Sequence, residues 1–462
     1  MGRAWASAAV VIFSATAVLA QTGTGVKCGP GNLCPSSTPC CSQYGECGVG
    51  AYCLGGCDPL FSNSLDSCVP EPVCQNLQHK FTDLDGIVAN TKYLGDSSKA
   101  GWVSSGTPLQ APTKDAVILT LSEDGSSSSG TLLASTVYVW YGKVTAQMKS
   151  SRGQGVVSAF ILLSDNKDEI DFEFVGADLQ NVQSNFYFQG ITDYDNEKNI
   201  TMPNNSDTFS DYHTYEIDWQ PDQLTWSVDG SIQRTLKKSD TFNKTDNQYH
   251  YPQTPARVQL SLWPAGIAKN GQGTVEWAGG LIDWDASDVK SNGYYYSMFK
   301  EVDVQCYQAP SDAAATSGKT SYVYVDNKGI ESSVAITGNN TVLKSLLGTG
   351  TDMDKDYPKQ AKASGTTTSG AAAATSEVAT IPGLSGAGPG TDGTRGGGGT
   401  SAGGSGSGAG SGSDTSSGSG AASSGIGGFS QGDQKGSSDA AKHVVAGSMV
   451  AALMAFVGMM LL

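Results

Sequence analysis

Basic residues are scarce in this sequence of 462 residues. It contains 28 Lys and Arg against 44 Asp and Glu, and its formal net charge at pH 7 is −16. Nucleic acids and other anionic polymers are bound mainly through clusters of Lys and Arg. The charge balance therefore argues against both as partners and leaves uncharged partners open.

Large apolar residues are almost absent from residues 362–436, which consist mostly of Gly, Ser, Thr and Ala. Such a stretch cannot bury enough apolar surface to offset the conformational entropy lost on ordering. We therefore predict a flexible, O-glycosylated stalk over residues 310–436, or a purely passive spacer.

Long apolar runs occur only at the two ends of the sequence. The first, residues 8–19, follows Arg3 and ends at Ala20, which predicts a secretory signal peptide over residues 1–20. This run is shorter than the roughly 20 apolar residues that a transmembrane helix needs.

The second apolar run, residues 444–462, has no cationic stop behind it and follows small residues around Gly436. A small-residue site, a polar spacer and an apolar tail form the pattern of GPI attachment, in which the tail is removed. We predict Gly436 as the anchor residue and residues 437–462 as the propeptide. The alternative is a tail-anchor helix.

Four Asn-x-Ser/Thr sequons suit exposed loops of a secreted chain. They begin at Asn199, Asn204, Asn243 and Asn339. Each is a predicted N-glycosylation site, although any one sequon can arise by chance.

Cysteine is confined almost entirely to one short segment, with nine of the ten residues between Cys28 and Cys74 and the tenth at Cys306. In a secreted chain this density predicts a small disulfide-stapled module, here residues 21–68, because so short a segment cannot be held by core burial alone. A zinc site is disfavoured by the vicinal pair Cys40-Cys41 and by the absence of histidine from the segment.

The cysteine order around Cys40-Cys41-Ser42-Gln43-Tyr44-Gly45-Glu46-Cys47 resembles the hevein-type chitin-binding module over residues 28–57. The resemblance implies the pairs Cys28 with Cys41, Cys34 with Cys47 and Cys40 with Cys53, and a closure of Cys57 on a later cysteine, for which we take Cys68. Cys74 and Cys306 remain, and we expect them to join the start and end of the following domain.

The same resemblance implies that Ser42, Tyr44 and Tyr52 bind chitin. Aromatic rings stack on the apolar face of N-acetylglucosamine, and a hydroxyl bonds its acetamide group. Glu46 stands where the family usually has a further aromatic residue. We expect the module to be an independent unit; the alternative is a stapled scaffold that binds no ligand.

Helical periodicity is scarce over residues 75–309, whereas short alternating segments such as residues 213–219 and 224–228 are frequent. Many short strands separated by Gly, Asn and Asp turns predict an all-β sandwich. Asp229-Gly230 is the predicted turn of a hairpin.

The chemistry is concentrated in the sequence Asp168-Glu169-Ile170-Asp171-Phe172-Glu173-Phe174. Alternation on a strand places Glu169, Asp171 and Glu173 on one face. The backbones of the two glutamates are then about 13 Å apart, whereas retaining glycoside chemistry needs carboxyl groups about 5 Å apart. Both side chains must therefore lean inward over the shorter Asp171.

Two other interpretations of this acid row were considered. A solvated strand face is common, but three like charges without alternating Lys or Arg repel one another. A calcium site also uses clustered carboxylates, although its ligands normally come from a loop. Acid/base catalysis is therefore predicted, with no metal and no cofactor.

Residues 169–173 resemble the catalytic strand of glycoside hydrolase family 16. Further segments are similar to that family and to its fungal Crh branch, namely residues 213–219, 226–230 and 252–255, Trp263, and residues 273–280. The Crh branch consists of GPI-anchored wall enzymes, some of which carry a hevein-type module. The resemblance implies a β-jelly-roll over residues 75–309 with a cleft across one face. It also implies a location outside the cell, at the membrane and in the wall.

The family resemblance implies a retaining double displacement in which Glu169 is the nucleophile, Glu173 the acid/base and Asp171 a helper. A charged Glu169 nearby would keep Glu173 protonated. The Crh branch resembles transglycosylases that cleave chitin and transfer the chain to β-glucan, so both polysaccharides are the implied partners.

For substrate contacts besides Glu173 we predict Trp263 as a stacking platform, with Arg257 and Thr274 as hydrogen-bond donors. Secondary candidates are Trp277, Tyr187 and Gln259. Core packing is preferred for Trp219 and Trp226, and a structural role for His213.

Two rival functions remain open. A chitinase or β-1,3-glucanase would use the same carboxylates, and a non-catalytic adhesin would have no reason to keep both glutamates in one row. Residues 322–347 alternate like strands beyond the predicted end of the domain, and no function is assigned to them.

Overall fold

The computed structural model describes residues 26–124, 127–310, 313, 318–358 and 379–382. The predicted signal peptide, the anchor residue Gly436 and its propeptide lie outside these residues. Within the described part of the chain, no helix has the length and apolar character needed to cross a bilayer.

The stapled module has a small three-stranded sheet in the order β2-β1-β3, formed by β1 (Cys40–Ser42), β2 (Cys47–Gly48) and β3 (Cys57–Asp58). Four disulfides hold it, joining Cys28 to Cys41, Cys34 to Cys47, Cys40 to Cys53 and Cys57 to Cys68. These are the pairs that the hevein-type resemblance implies, with Cys68 as the later cysteine that closes on Cys57. A fifth disulfide joins Cys74 to Cys306, as expected for the two remaining cysteines.

The remaining elements in chain order begin with β4 (Glu71–Pro72), β5 (Leu77–Lys80), β6 (Ile87–Ala89), β7 (Trp102–Ser105), β8 (Pro108–Gln110), β9 (Val117–Asp124), β10 (Ser127–Ser129), β11 (Thr131–Val139), β12 (Gly142–Lys149), β13 (Val156–Ser164), β14 (Glu169–Val175), β15 (Asn181–Tyr187) and β16 (Lys198–Thr201). They continue with β17 (His213–Trp219), β18 (Gln223–Val228), β19 (Ser231–Lys237), β20 (Phe242–Asn243), β21 (Gln248–Tyr249), β22 (Ala256–Pro264), α1 (Gln272–Trp277), α2 (Ser287–Asn292), β23 (Tyr295–Cys306), β24 (Ser321–Tyr324) and β25 (Val334–Thr337).

Two large sheets form the predicted all-β sandwich, and the fold class is confirmed. The eight-stranded sheet has the order β16-β15-β14-β13-β22-β11-β7-β6, with β6 parallel to β7. The other has nine strands and follows β10-β9-β23-β12-β17-β18-β19, with β5 beside β23 and β8 beside β9. The main core lies between these sheets.

Buried tryptophans fix the two sheets against each other. Trp219 and Trp226 are fully buried, as predicted. The Trp219 indole donates to the carbonyl of Pro252 at 3.0 Å, and the Trp226 indole donates to the carbonyl of Asp171 at 3.0 Å. Because buried indole N–H groups need acceptors, these bonds tie the packing of the core to the acid-bearing strand.

The β18–β19 hairpin turns at Asp229-Gly230, as predicted. Both residues have positive φ, 49° and 77°, as a two-residue hairpin turn of the primed type requires. The Nδ1 atom of His213 lies 2.7 Å from a carboxylate oxygen of Asp229, and its Nε2 atom lies 2.6 Å from the hydroxyl of Ser206. His213 therefore links this turn to a neighbouring loop, in keeping with its predicted structural role.

The prediction that the stalk starts at residue 310 is wrong, because residues 318–358 belong to the folded body. Strands β24 and β25 pair with each other, and β24 also pairs with β4, in the linker between module and sandwich. Tyr322 is 4% exposed and packs edge-on against Trp140, with ring centroids 5.5 Å apart. Burial of its aromatic residues explains why this segment is ordered.

This C-terminal segment, residues 318–358, bonds to both neighbouring units. On the module side, the amide of Gly50 donates to the carbonyl of Gly348 and that of Gly350 to the carbonyl of Ser67, both at 2.8 Å. On the sandwich side, the Asn166 amide group donates to the carbonyl of Gly329 at 2.6 Å. The segment therefore braces the module against the sandwich.

The module, which we expected to be an independent unit, is in direct contact with the sandwich. The buried carboxylate of Asp165 accepts from the module amide of Gly56 at 2.9 Å and from the hydroxyl of Tyr138 at 2.8 Å. An acceptor buried in this interface needs both donors, because water cannot replace them. The module is docked on the sandwich.

The substitution Gly350→Ala should release the C-terminal segment from the module. A Cβ atom at Gly350 would lie 2.3 Å from the backbone oxygens of both Asp66 and Cys68, which cannot move aside cheaply. Overpacking of this kind costs about 1–3 kcal/mol. We expect a lower melting temperature and faster proteolysis within residues 318–358.

The matched control is Gly348→Ala, whose added Cβ would lie 3.0 Å from the side-chain end of Leu343, 3.2 Å from the backbone oxygen of Ser345 and 3.4 Å from that of Asp352. These contacts are much longer than those at Gly350, so the control should destabilise less than Gly350→Ala in both measurements. Equal destabilisation by the two variants would contradict a docked segment.

Candidate active site

The acid row lies on β14 with the predicted alternation. Ile170, Phe172 and Phe174 point into the core and are at most 1% exposed. Glu169 and Glu173 lie on the opposite face and are half-buried, while Asp171 between them is 1% exposed. The strand therefore presents two accessible carboxyl groups flanking a buried one.

Asp171 is the group of this row that holds a proton most firmly. Its carboxyl group shares a hydrogen bond with Glu169, and burial together with the charges of Glu169 and Glu173 raises the pKa of Asp171 well above its usual range. A carboxyl–carboxylate hydrogen bond needs one proton. Asp171 is therefore the donor and Glu169 the acceptor.

The two glutamates differ in what surrounds them. Burial raises the pKa of Glu169, while the hydrogen bond from Asp171 and the charge of Lys167 act in the opposite direction. Burial also raises the pKa of Glu173, and the charges of Glu169 and Glu197 raise it further. The surroundings favour an ionised Glu169 and a protonated Glu173 over the reverse.

Arg234, on β19, is a cation near the row that sequence reasoning missed. It donates to the carbonyls of Ser184 and Asn196, both at 2.7 Å, and its guanidinium lies 4.4 Å from the ring centre of Trp226. Its charge lowers the pKa of Asp171, although burial and the acid charges outweigh it. No local pattern around β14 could have identified it, because it comes from the other sheet.

Asp168 was also missed as a positioning residue. Its buried carboxylate accepts from the amides of Gln189 and Gln253 at 2.9 Å, and from the hydroxyl of Thr254 at 2.7 Å. Alternation already placed Asp168 on the face opposite Glu169, and a buried acid must find donors. It fixes the loops at the start of β14.

Strand β15 borders the row with polar side chains. Its residues Tyr187, Asn185 and Gln183 pair in register with Glu169, Asp171 and Glu173. Asn185 donates to the hydroxyl of Tyr187 at 2.8 Å. Directly paired residues share a face, so the secondary candidate Tyr187 lies beside Glu169.

Trp263, the predicted stacking platform, is 7% exposed and lies against the half-buried secondary candidate Trp277, and contact of either ring with substrate stays a prediction. Trp263 and Trp277 are stacked with ring centres 6.0 Å apart and planes 25° apart. The Trp277 indole donates to the side-chain oxygen of Gln183 at 2.8 Å, next to Glu173. Trp277 is brought there by α1, which also carries the half-buried Thr274. A contact of Thr274 with substrate stays a prediction.

Arg257 and Gln259, which were predicted to contact the substrate, lie beneath the docked module. They are 7% and 2% exposed, and both donate to the side-chain oxygen of Gln43 in the module, at 3.1 and 3.3 Å. Arg257 was predicted to be a subsite donor because sugar sites combine aromatic faces with a few polar anchors. In the structure its guanidinium group bonds to the module.

Two of the three residues predicted to bind chitin are buried. Ser42 and Tyr52 are 2% and 4% exposed. The hydroxyl of Ser42 accepts from the amide of Glu46 at 3.3 Å, and Tyr52 packs in a small core with Leu343 of the C-terminal segment. These two side chains therefore form no open sugar-binding surface. Tyr44 is half-buried and packs near Trp263.

The predicted sequons are on or near the surface. Asn199, Asn204 and Asn339 are exposed and Asn243 is half-buried. Their glycosylation stays a prediction.

Substitution of Asp171 should move the acid limb of the pH–rate profile. That limb reports ionisation of Glu169, which the Asp171 proton stabilises. Asp171→Leu removes the donor. Hydrogen bonds to charged groups are worth about 1.5–3 kcal/mol, so the acid limb should move to higher pH by about one to two units. Asp171→Asn keeps a donor and should shift the limb much less. An equal shift in both variants would contradict the donor role of Asp171.

Residues 96–279 match the family model described as glycosyl hydrolases family 16. Crh-like protein 3 of Botryotinia fuckeliana is 59% identical over 326 residues, which cover 71% of each chain. Congo red hypersensitive protein 2 of Saccharomyces cerevisiae is 43% identical over 355 residues, 76% of this chain and 74% of that protein. The solved structure of the Crh5 transglycosylase in complex with NAG aligns with a TM-score of 0.47 and 30% identity, over 61% of this chain and 99% of that one. By the identity and coverage of Crh-like protein 3 and Congo red hypersensitive protein 2, the chain belongs to the Crh-like proteins of glycosyl hydrolase family 16.

Proposed function

We propose that this protein is a wall-remodelling transglycosylase that cleaves β-1,4 linkages of chitin with retention and transfers the chain to β-glucan. The observation that carries the proposal is the arrangement on β14, where two half-buried glutamates flank the buried Asp171, whose carboxyl group shares a hydrogen bond with Glu169. Chitin and β-glucan are taken from the resemblance to the Crh branch. Secretion and a GPI anchor at Gly436 are part of the proposal and follow from the sequence patterns.

In the first step the Glu169 carboxylate attacks the anomeric carbon, and the bond to the leaving sugar oxygen breaks. Glu173 gives its proton to that oxygen, so the leaving chain departs as a neutral alcohol. In the second step Glu173, now ionised, takes the proton of an acceptor hydroxyl, whose oxygen displaces Glu169 from the anomeric carbon. Two inversions give retention.

Transfer is favoured over hydrolysis by the aromatic surface next to Glu173. Trp277, which is half-buried and stacked on the buried Trp263, can hold a sugar ring by stacking on its apolar face, and water cannot be held in that way. The alternative, a chitinase or β-1,3-glucanase, uses the same two glutamates and differs in the acceptor. An adhesin would not need the proton arrangement described above.

The first test incubates the protein with chitin oligomers and fluorescent β-glucan oligomers. We expect mixed products that carry the fluorescent label and are sensitive to both chitinase and glucanase. Release of reducing ends without mixed products would support the hydrolase alternative, and no turnover of either polymer would contradict an enzyme.

The second test separates the two glutamates. Glu169→Gln removes the attacking anion and should abolish both hydrolysis and transfer with any acceptor. Glu173→Gln keeps the nucleophile, so a chitooligosaccharide with a good leaving group should still form the glycosyl-enzyme, which persists because the base is gone. Mass spectrometry should then find a sugar adduct on Glu169. An adduct on Asp171, or an inverted wild-type product, would overturn the assignment.

A further inference from the structure

One half of the sheet face that carries the acid row is covered. Gln259 of β22 pairs with Ile161 of β13, which in turn pairs with Asp171. Because directly paired residues share a face, Gln259 lies on the same face as the acid row. It is only 2% exposed, and Leu132, further along this face on β11, is 4% exposed. A cleft that continued across β22 and β11 would leave these side chains accessible.

Two consecutive residues of the stapled module provide the cover. The side-chain oxygen of Gln43 accepts from Arg257 and Gln259 at 3.1 and 3.3 Å. Tyr44 packs against the cluster that contains Trp263 and Leu132. Both module side chains are half-buried, so each keeps some surface open to solvent.

Gln43 also positions Tyr44, since the two side chains share a hydrogen bond. With its oxygen held by Arg257 and Gln259, the Gln43 amide group can serve Tyr44 only through its nitrogen. The Tyr44 ring is thereby fixed between the module and the Trp263–Trp277 pair.

The module side chains that cover β22 lie two strands away from the acid row on β14. Strand β22 is two strands from β14, and neighbouring strands are about 4.8 Å apart, so Gln259 lies about 10 Å from the acid row. This leaves room for a short run of sugar rings between the acids and the module, and stops a longer chain.

We propose that the stapled module is the end wall of the cleft and that Tyr44 is a specificity-determining residue, which stacks on the terminal sugar of a bound neutral chain. Gln43 is its positioning residue. The proposal rests on the proposed function and adds that a chain end is recognised on the β22 side of the acid row. It also gives the module a role inside the active site in place of separate adherence to chitin.

Oligosaccharide binding to a catalytically inactive variant tests the end-wall proposal independently of turnover. In the Glu169→Gln background, the affinity for N-acetylglucosamine oligomers of increasing length is measured by titration calorimetry. We expect affinity to rise with length up to a plateau, where the wall stops the chain. Tyr44→Ala should weaken binding about tenfold at and above the plateau length and leave the shortest oligomers unchanged. Tyr44→Phe keeps the ring but loses the hydrogen bond to Gln43, so it should weaken the same oligomers less than Tyr44→Ala and about as much as Gln43→Ala.

Gln43→Ala should weaken the same oligomers, and the double variant should lose no more than Tyr44→Ala alone, because Gln43 acts through Tyr44. The control Leu33→Ala changes a module residue that is 63% exposed and should leave every length unaffected. The end-wall proposal would be contradicted if Tyr44→Ala weakened the binding of all lengths equally or of none, or if no oligomer bound to the parent protein.

Turnover in the otherwise wild-type protein separates this proposal from the proposed function. Tyr44→Ala should raise KM for the longer oligomers about tenfold with little change in kcat, because ring stacking holds bound substrate and transition state alike. If the wild type makes no mixed products, the proposed function is contradicted, while the binding measurements still test whether the module ends the cleft. If turnover depends on Glu169 but its dependence on oligomer length is the same in Tyr44→Ala as in the wild type, the end-wall proposal is contradicted and the proposed function is retained.

Discussion

Three carboxyl groups on one face of a seven-residue strand repel one another if all are ionised. Much of the structure around β14 reduces this repulsion. Burial of Asp171 raises its pKa and keeps a proton between the two glutamates, and that proton is shared with Glu169. The charge of Glu169 then helps to keep the second proton on Glu173. The proposed division of labour between a nucleophilic Glu169 and an acid Glu173 thus follows from where the fold places protons.

The placement of Asp171 depends in turn on contacts from other parts of the chain. The Trp226 indole holds the carbonyl of Asp171 from the opposite sheet, and Arg234 beside it supplies the compensating charge. On the other side of the acid row, the stapled module covers β22 and is braced by the C-terminal segment. The Cys74–Cys306 disulfide ties the module linker to β23. Folding of these distant segments and assembly of the site are therefore coupled.

Features encoded locally could be predicted from the sequence. Alternation gave the faces of β14, Asp229-Gly230 gave a hairpin turn, and cysteine spacing gave a stapled module. Apart from the Cys74–Cys306 disulfide, contacts between segments far apart in the chain could not be predicted. Gln43 and Arg257 are 214 residues apart in the chain, so neither the covering of Arg257 nor the docking of the module had a local signal. The strand pattern of residues 322–347 was visible, but its partner Glu71–Pro72 was not.

A neutral polysaccharide offers no charge to a protein with a net charge of −16, so its affinity must come from stacking and from hydrogen bonds to polar side chains. Trp277, stacked on the buried Trp263, and, in our proposal, Tyr44 supply aromatic surface at one end of the acid row. In the proposed reaction the glycosyl-enzyme persists until a hydroxyl reaches the anomeric carbon. A surface that concentrates sugar rings there raises the local concentration of sugar hydroxyls relative to water. In this proposal the same side chains that select the substrate therefore also bias the second step towards transfer.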